Sequence, residues 1–297
     1  MREMMNTREV AEYLRIKERK VYDLVAARRI PCSRVTGKWL FPKALIDLWV
    51  SSGAEFAEPG LRLDRPAPPP VVAGSHDPLL DWAVRESGSG LALRADGSLD
   101  GLRRLAGGEA MLCGLHVLDG DSGVYNVPMI EQGLPGLDVV AVEWAVRTQA
   151  LLAAPGNPLG IRTVADLAGR RPRVVLRQPD AGAQVLLVHL LAKEGLTPAD
   201  LAAVDGVART ELDLGLAILE GRADAGLGAL AVATQLKLDA IPVREERFDL
   251  VMRRRDYFEP PVQALLAFTR TDAFRRRAAD LGGYDVGGVG AVRFNGP

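Results

Sequence analysis

The chain has 297 residues, enough for more than one buried core, and its 37 basic and 38 acidic side chains nearly balance. Two cysteines, Cys32 and Cys113, build neither a disulfide framework nor a cysteine-rich zinc site, and that scarcity points to a reducing compartment. With no apolar leader and no run of bilayer-spanning length, a cytoplasmic protein without membrane contact is expected.

Residues 1–50 carry 11 basic and 6 acidic groups, so a positive head precedes a negative remainder. Such an asymmetry suggests an anionic partner for the head, and double-stranded DNA is the commonest one. In "NTREVAEYL" the Asn6-x-x-Glu9 spacing predicts a capping box, followed by Val10, Ala11 and Leu14 on one helix face. The stretch "ERKVYDLVAARR" places Val21, Leu24 and Val25 inward and leaves Lys17, Arg19, Lys20 and Tyr22 outward, which predicts a helix-turn-helix. Thr36-Gly37 in "IPCSRVTGKWLFP" predicts a hairpin wing anchored by Trp39 and Phe41, with Arg34 and Lys38 set to meet phosphates. The closing "PKALIDLWVSS" is expected to start its helix at Pro42 and to bury Ala44, Leu45, Leu48 and Trp49.

That order resembles the excisionase/MerR-type DNA-binding family across residues 4–50. A winged helix-turn-helix domain over 1–52 is therefore expected, with Lys17, Arg19, Lys20, Tyr22, Arg34 and Lys38 as its DNA-binding side chains. Residues 53–70 lack periodicity and end in a proline cluster, which reads as a semi-rigid linker.

Beyond the linker, apolar strands alternate with helices, from "VVAGS" and "DPLLDWAVRES" to "EAMLCGLH", and the alternation implies βαβ units around a parallel sheet. Two long strand-like runs, "LDVVAVEWAVRTQALLAAPGNP" and "AIPVREERFDLVMRR", frame a second βαβ set, so the expected fold is α/β with two lobes and a cleft. Ser75 and Ser98 follow strands where helices begin, where hydroxyls and helix amides stabilise an oxyanion. His76 and His116 stand at strand ends as polar groups near the cleft. In "RQPDAGAQVLLVHLL", Arg177, Gln178, Gly182 and Gln184 form a turn that presents amides and donors to a ligand. "GRADAGLG" reads as close helix-to-strand packing, because no phosphate-loop lysine follows. A nucleophile paired with a base, or a metal-spaced cluster, is not identifiable, so neither enzyme nor metal or other cofactor site is expected.

The segments "GSHDPLL", "APGNPLGIRTVADL", "RQPDAGAQVLLVHLL" and "ERFDLVMRR" resemble the type II periplasmic-binding-protein-like domain of the molybdate-binding sort. The resemblance implies a two-lobed effector domain over 71–297, with lobe one at about 71–154 and 240–297 and lobe two at about 155–239. Both resemblances together imply a one-component bacterial transcription regulator, dimeric or of higher order, that senses a small oxyanion or polar molecule, with molybdate or tungstate the implied effector. The alternative is a molybdenum-handling or other small-molecule binding protein whose N-terminal module makes other contacts.

Overall fold

A computed structural model describes residues 4–27, 29–34, 37–52 and 67–296. The chain divides into two compact units, Met1–Pro66 and Ala67–Pro297. The expectations for the linker between 53 and 66, for Thr36 at the wing tip and for the Leu48 side chain lie outside the described residues.

The N-terminal unit contains strand β1 (Met4–Met5), helices α1 (Thr7–Tyr13) and α2 (Glu18–Ala26), strand β2 (Phe41–Pro42) and helix α3 (Lys43–Ser52). The capping box is present: Asn6 Oδ1 accepts the amides of Arg8 and Glu9, and the Glu9 carboxylate accepts the Asn6 amide. Arg15, at φ +53°, turns the chain between α1 and α2. Ser33 and Leu40 exchange backbone hydrogen bonds, closing the wing as an antiparallel pair. Phe41 is fully buried among Met5, Val10, Val21, Ile30 and Ile46, and Trp39 packs against them.

Two expectations for the closing helix are corrected. Pro42 pairs with Met4 in the small sheet and α3 starts one residue later, at Lys43. Among the described side chains of α3 the buried one is Ile46, while Ala44 and Leu45 are exposed and Trp49 is half-buried. A helix turns about 100° per residue, so a shift of one or two positions carries a different side chain into the core.

The C-terminal unit runs β3 (Val71–Gly74), α4 (Pro78–Glu86), β4 (Ala92–Arg94), α5 (Ser98–Gly107), β5 (Leu112–Leu115) and α6 (Val127–Gly133). The long β6 (Val139–Ala153) leads into α7 (Asp166–Gly169), β7 (Arg173–Val174), α8 (Gly182–Lys193), β8 (Ala202–Ala203), α9 (Glu211–Leu219), β9 (Ala225–Ala229) and α10 (Leu230–Leu236). A second long strand, β10 (Asp239–Arg253), is followed by α11 (Pro260–Phe268), α12 (Asp272–Leu281), β11 (Tyr284–Asp285) and β12 (Val292–Asn295).

The strands form one ten-stranded sheet in the order β4-β3-β5-β10-β6-β9-β7-β8, with β11 and β12 also on β6. Pairing is parallel within each βαβ set, as expected, but antiparallel where β10 meets β5 and β6 and where β6 meets β9. The sheet is therefore mixed rather than parallel. The physical reason is that β10 pairs with β5 through residues 249–252, β6 pairs with β9 through residues 149–153, and the two long strands pair with each other along their length, so together they bridge both lobes. The lobe boundary thus falls inside these two strands. Each lobe has apolar clusters on its sheet, one around Trp144, Phe248 and Phe274, another around Leu105, Leu115 and Val251, and others around Leu186 and Leu214.

Close packing of α5 on β3 sets the first part of the site. A Cβ on Gly101 would lie 2.4 Å from the Gly74 Cα, so only glycine permits this approach, which brings Ser98 to the end of β5.

Candidate functional site

The cleft-side ends of β3 and β5 place Ser75 and His116 in contact. Ser75 Oγ lies 2.7 Å from His116 Nε2, and His116 Nδ1 lies 2.9 Å from Glu246 Oε2 on β10. Ser98 Oγ stands 3.5 Å from the His116 amide. Phe248 stacks on the imidazole at a centroid distance of 5.6 Å, fixing its plane.

Behind this chain sits a buried ion network. Arg147 on β6 donates from Nε to Glu246 at 2.5 Å and from Nη1 to Asp77 at 2.9 Å, while Gln149 Nε2 donates to Glu246 at 2.8 Å. Asp77 also caps α4 at Leu80 and accepts from Trp144 and Tyr284. Asp77, not Ser75, caps α4, and Gly97 occupies the cap position of α5. Burial alone would push the Glu246 carboxyl up, but His116 and Arg147 outweigh it and hold it at about 2.

In lobe two, Arg177 is fully buried and engaged by protein groups. Its Nε and Nη2 donate to the carbonyls of Ala208 and Arg209, and Nη1 pairs with Glu211 at 2.8 Å. Gln184 Oε1 accepts the Arg177 amide, and Gln178 Nε2 donates to Arg209 O, so both glutamines brace the turn. Glu211 in turn accepts the Ala229 amide and is within electrostatic reach of Arg147 and His116. His76, between Ser75 and Asp77, has a buried Nδ1 without a hydrogen-bond partner, and burial lowers its pKa. Asp224 of "GRADAGLG" binds Arg173 through three hydrogen bonds, and Cβ atoms at Gly226 and Gly228 would press on Val175 and Glu211, consistent with close packing.

The two lobes meet over this cluster. Leu99 N donates to Asp180 O, Arg103 pairs with Asp180 at 2.5 Å, and a Cβ on Gly182 would fall 2.2 Å from the His116 carbonyl. Ser75, Ser98, His116, Gly182 and Gln184 therefore come together in a closed cleft, with Arg177 supporting the turn from behind. Arg147, Gln149, Glu211 and Glu246 were not singled out from the sequence. For Arg147 and Gln149 the signal is polar side chains inside a long apolar strand, on one face of β6 by the two-residue period, whereas Glu211 opens α9 and Glu246 sits in a charged stretch of β10.

On the N-terminal unit, Lys17, Arg19, Lys20, Tyr22, Arg34 and Lys38 are all exposed. Lys17 to Tyr22 lie on or just before α2, as a reading helix requires. Arg34 lies over the Trp39 ring at 5.2 Å and donates to Gly37 O, which stiffens the wing.

Fold and site define a DNA-binding helix-turn-helix module joined to a two-lobed ligand-binding domain. The PBP superfamily domain profile matches residues 81–270 and a helix-turn-helix domain profile matches 4–54. The chain belongs to the PBP superfamily. It is 25% identical over 296 residues to the uncharacterised protein YvgK of Bacillus subtilis, covering 96% of each chain. A substrate-binding protein of ABC-transporter type from Clostridium perfringens, with bound phosphate, has a similar fold at TM-score 0.54 and 12% identity, over 71% of this chain and 96% of that one. A mutant of Corynebacterium glutamicum OxyR is similar at TM-score 0.50 and 14% identity, over 93% of this chain and 89% of that one. Among the described residues no helix is long and apolar enough to cross a membrane.

Proposed function

We propose that the protein is a cytoplasmic one-component transcription regulator that works as a homodimer or higher oligomer, with no catalytic step. Its N-terminal unit binds duplex DNA through Lys17, Arg19, Lys20, Tyr22, Arg34 and Lys38. Its C-terminal unit closes on a small anionic or polar ligand held among Ser75, Ser98, His76, His116, Gly182 and the turn built by Arg177, Gln178 and Gln184. The observation that carries this reading is the buried polar cluster, to which strand-end loops of both lobes contribute. Groups so placed make contacts that exist only when the lobes are shut, which is what lets a ligand bias closure. Molybdate and tungstate are candidates through the sequence resemblance, and phosphate through the bound anion of the C. perfringens protein.

Ser75, His116 and Glu246 are connected in the order of a hydrolytic triad. Ser75 is almost wholly covered by the closed lobes, and Glu246 is already paired with Arg147, an arrangement suited to holding a hydroxyl in place. A thermal-shift screen with molybdate, tungstate, phosphate, sulfate and small organic acids tests the binding reading. A ligand in about hundredfold excess over its Kd adds roughly 2.7 kcal/mol to the folded state. Ester hydrolysis lost in Ser75→Ala would argue for an enzyme instead.

A further inference from the structure

Glu246 Oε1 is gripped by two donors from one face of β6, Arg147 Nε and Gln149 Nε2. A carboxylate only accepts, so the Gln149 amide has its nitrogen on Glu246 and its oxygen turned away. That oxygen, Gln149 Oε1, and the remaining Arg147 nitrogen, Nη2, are both buried, and neither has a hydrogen-bond partner. One accepts and the other donates, and they stand two residues apart on the same strand face. Buried polar groups are seldom left unpaired, so the pair marks a place for a molecule with a donor beside an acceptor.

The surrounding groups are already engaged with one another. His116 holds Glu246 through Nδ1 and Ser75 Oγ through Nε2, so both ring nitrogens have partners. Arg177 Nε and Nη2 donate to the carbonyls of Ala208 and Arg209, and Nη1 stands at ion-pair distance from Glu211. Three buried carboxyl groups, Asp77, Glu211 and Glu246, accompany two guanidiniums, Arg147 and Arg177, and the His116 imidazole, so a dianion would enter a cluster with no surplus of positive charge. From lobe two, the other element packed on His116 is the start of α8, where Gly182 brings no charge.

We propose that the cleft selects a ligand carrying an O–H or N–H donor next to an oxygen acceptor, and discriminates against tetraoxyanions that have lost all their protons. This deepens the ligand-sensing reading and rests on it. The shared chemistry, a hydroxyl beside an anionic oxygen, is found in hydrogen phosphate and in small hydroxy acids.

Calorimetric titration of the full chain at about pH 6 with inorganic phosphate, lactate, sulfate and molybdate separates the cases. Phosphate or lactate is expected to bind at least about tenfold more tightly than sulfate and molybdate, and whichever of the two binds identifies the source. Gln149→Met, which keeps the volume but loses both the free oxygen and the donor to Glu246, is expected to erase that preference in a chain that still folds, with some loss of melting temperature from the stranded carboxylate. Sulfate or molybdate binding as tightly as phosphate and lactate, or a preference untouched by Gln149→Met, would overturn the proposal and leave the sensor reading standing. No binding by any of the four would overturn the sensor reading for small polar ligands, and the proposal with it.

Discussion

Removing the Arg147 guanidinium would leave Asp77 and Glu246 buried without the cation that bridges them. Breaking one partner out of such a network costs about 3–5 kcal/mol, far more than a surface pair, because the stranded charge cannot be rehydrated. Arg147→Ala should lower the urea midpoint of the C-terminal unit accordingly, and an unchanged midpoint would mean the network is not formed. Acid acts on the same region through His76 in one window and through the depressed carboxyls of Glu246 and Glu211 in a lower one. His76 is depressed below its ordinary 6.5 by burial, so the unfolded chain binds a proton that the folded one refuses, and stability falls as the pH drops below 6.5. Glu246, also depressed, adds a second loss as the pH falls from 4.5 towards about 2. His76→Gln should flatten the upper window in urea titrations at stepped pH and leave the lower one in place.

At the scale of elements, the start of α8 decides whether the lobes can meet. Gly182 touches the His116 carbonyl so closely that a larger side chain would have to push backbone away from backbone. Gly182→Val should hold the cleft open, seen as a larger radius of gyration by small-angle scattering and as lost ligand binding, with each lobe still folded. A scattering curve identical to that of the unchanged chain would show that closure does not depend on this contact. The exposed Arg103–Asp180 pair across the same seam is worth only about 0–1 kcal/mol, so its loss should matter little by comparison. Much of this architecture was legible in the sequence, because strand-helix alternation and turn residues are local signals. Asn6 and Glu9, three apart, declared their cap, and Ser75, Ser98 and Gly182 stood at strand-helix junctions. The bond from His116 to Glu246 spans 130 positions and has no spacing to announce it. Ser75 has His76 beside it in the chain, whereas its hydrogen-bonding partner, His116, arrives from another strand. The start of α3 shows the same limit at short range, since a one-residue shift moved the buried position to Ile46.

For the whole molecule, duplex binding should reside in the N-terminal unit, where the exposed cations of α2 and the wing lie. Lys20→Ala or Lys38→Ala should weaken binding and reduce the salt dependence by about one unit if a phosphate contact is lost. A 68–297 fragment that bound DNA as well as the full chain would place the surface elsewhere. Two units in one chain form a sensor only if the free energy of one reaches the other, and an effect of about 1–3 kcal/mol is the usual size of such coupling. The most direct measurement is the affinity of the full chain for its operator, titrated at one salt concentration with and without saturating ligand. A shift of roughly 5- to 150-fold is expected, matched by an equal shift in ligand affinity when operator is bound. Identical operator affinities in the two titrations, with ligand demonstrably in the cleft, would contradict the regulator reading.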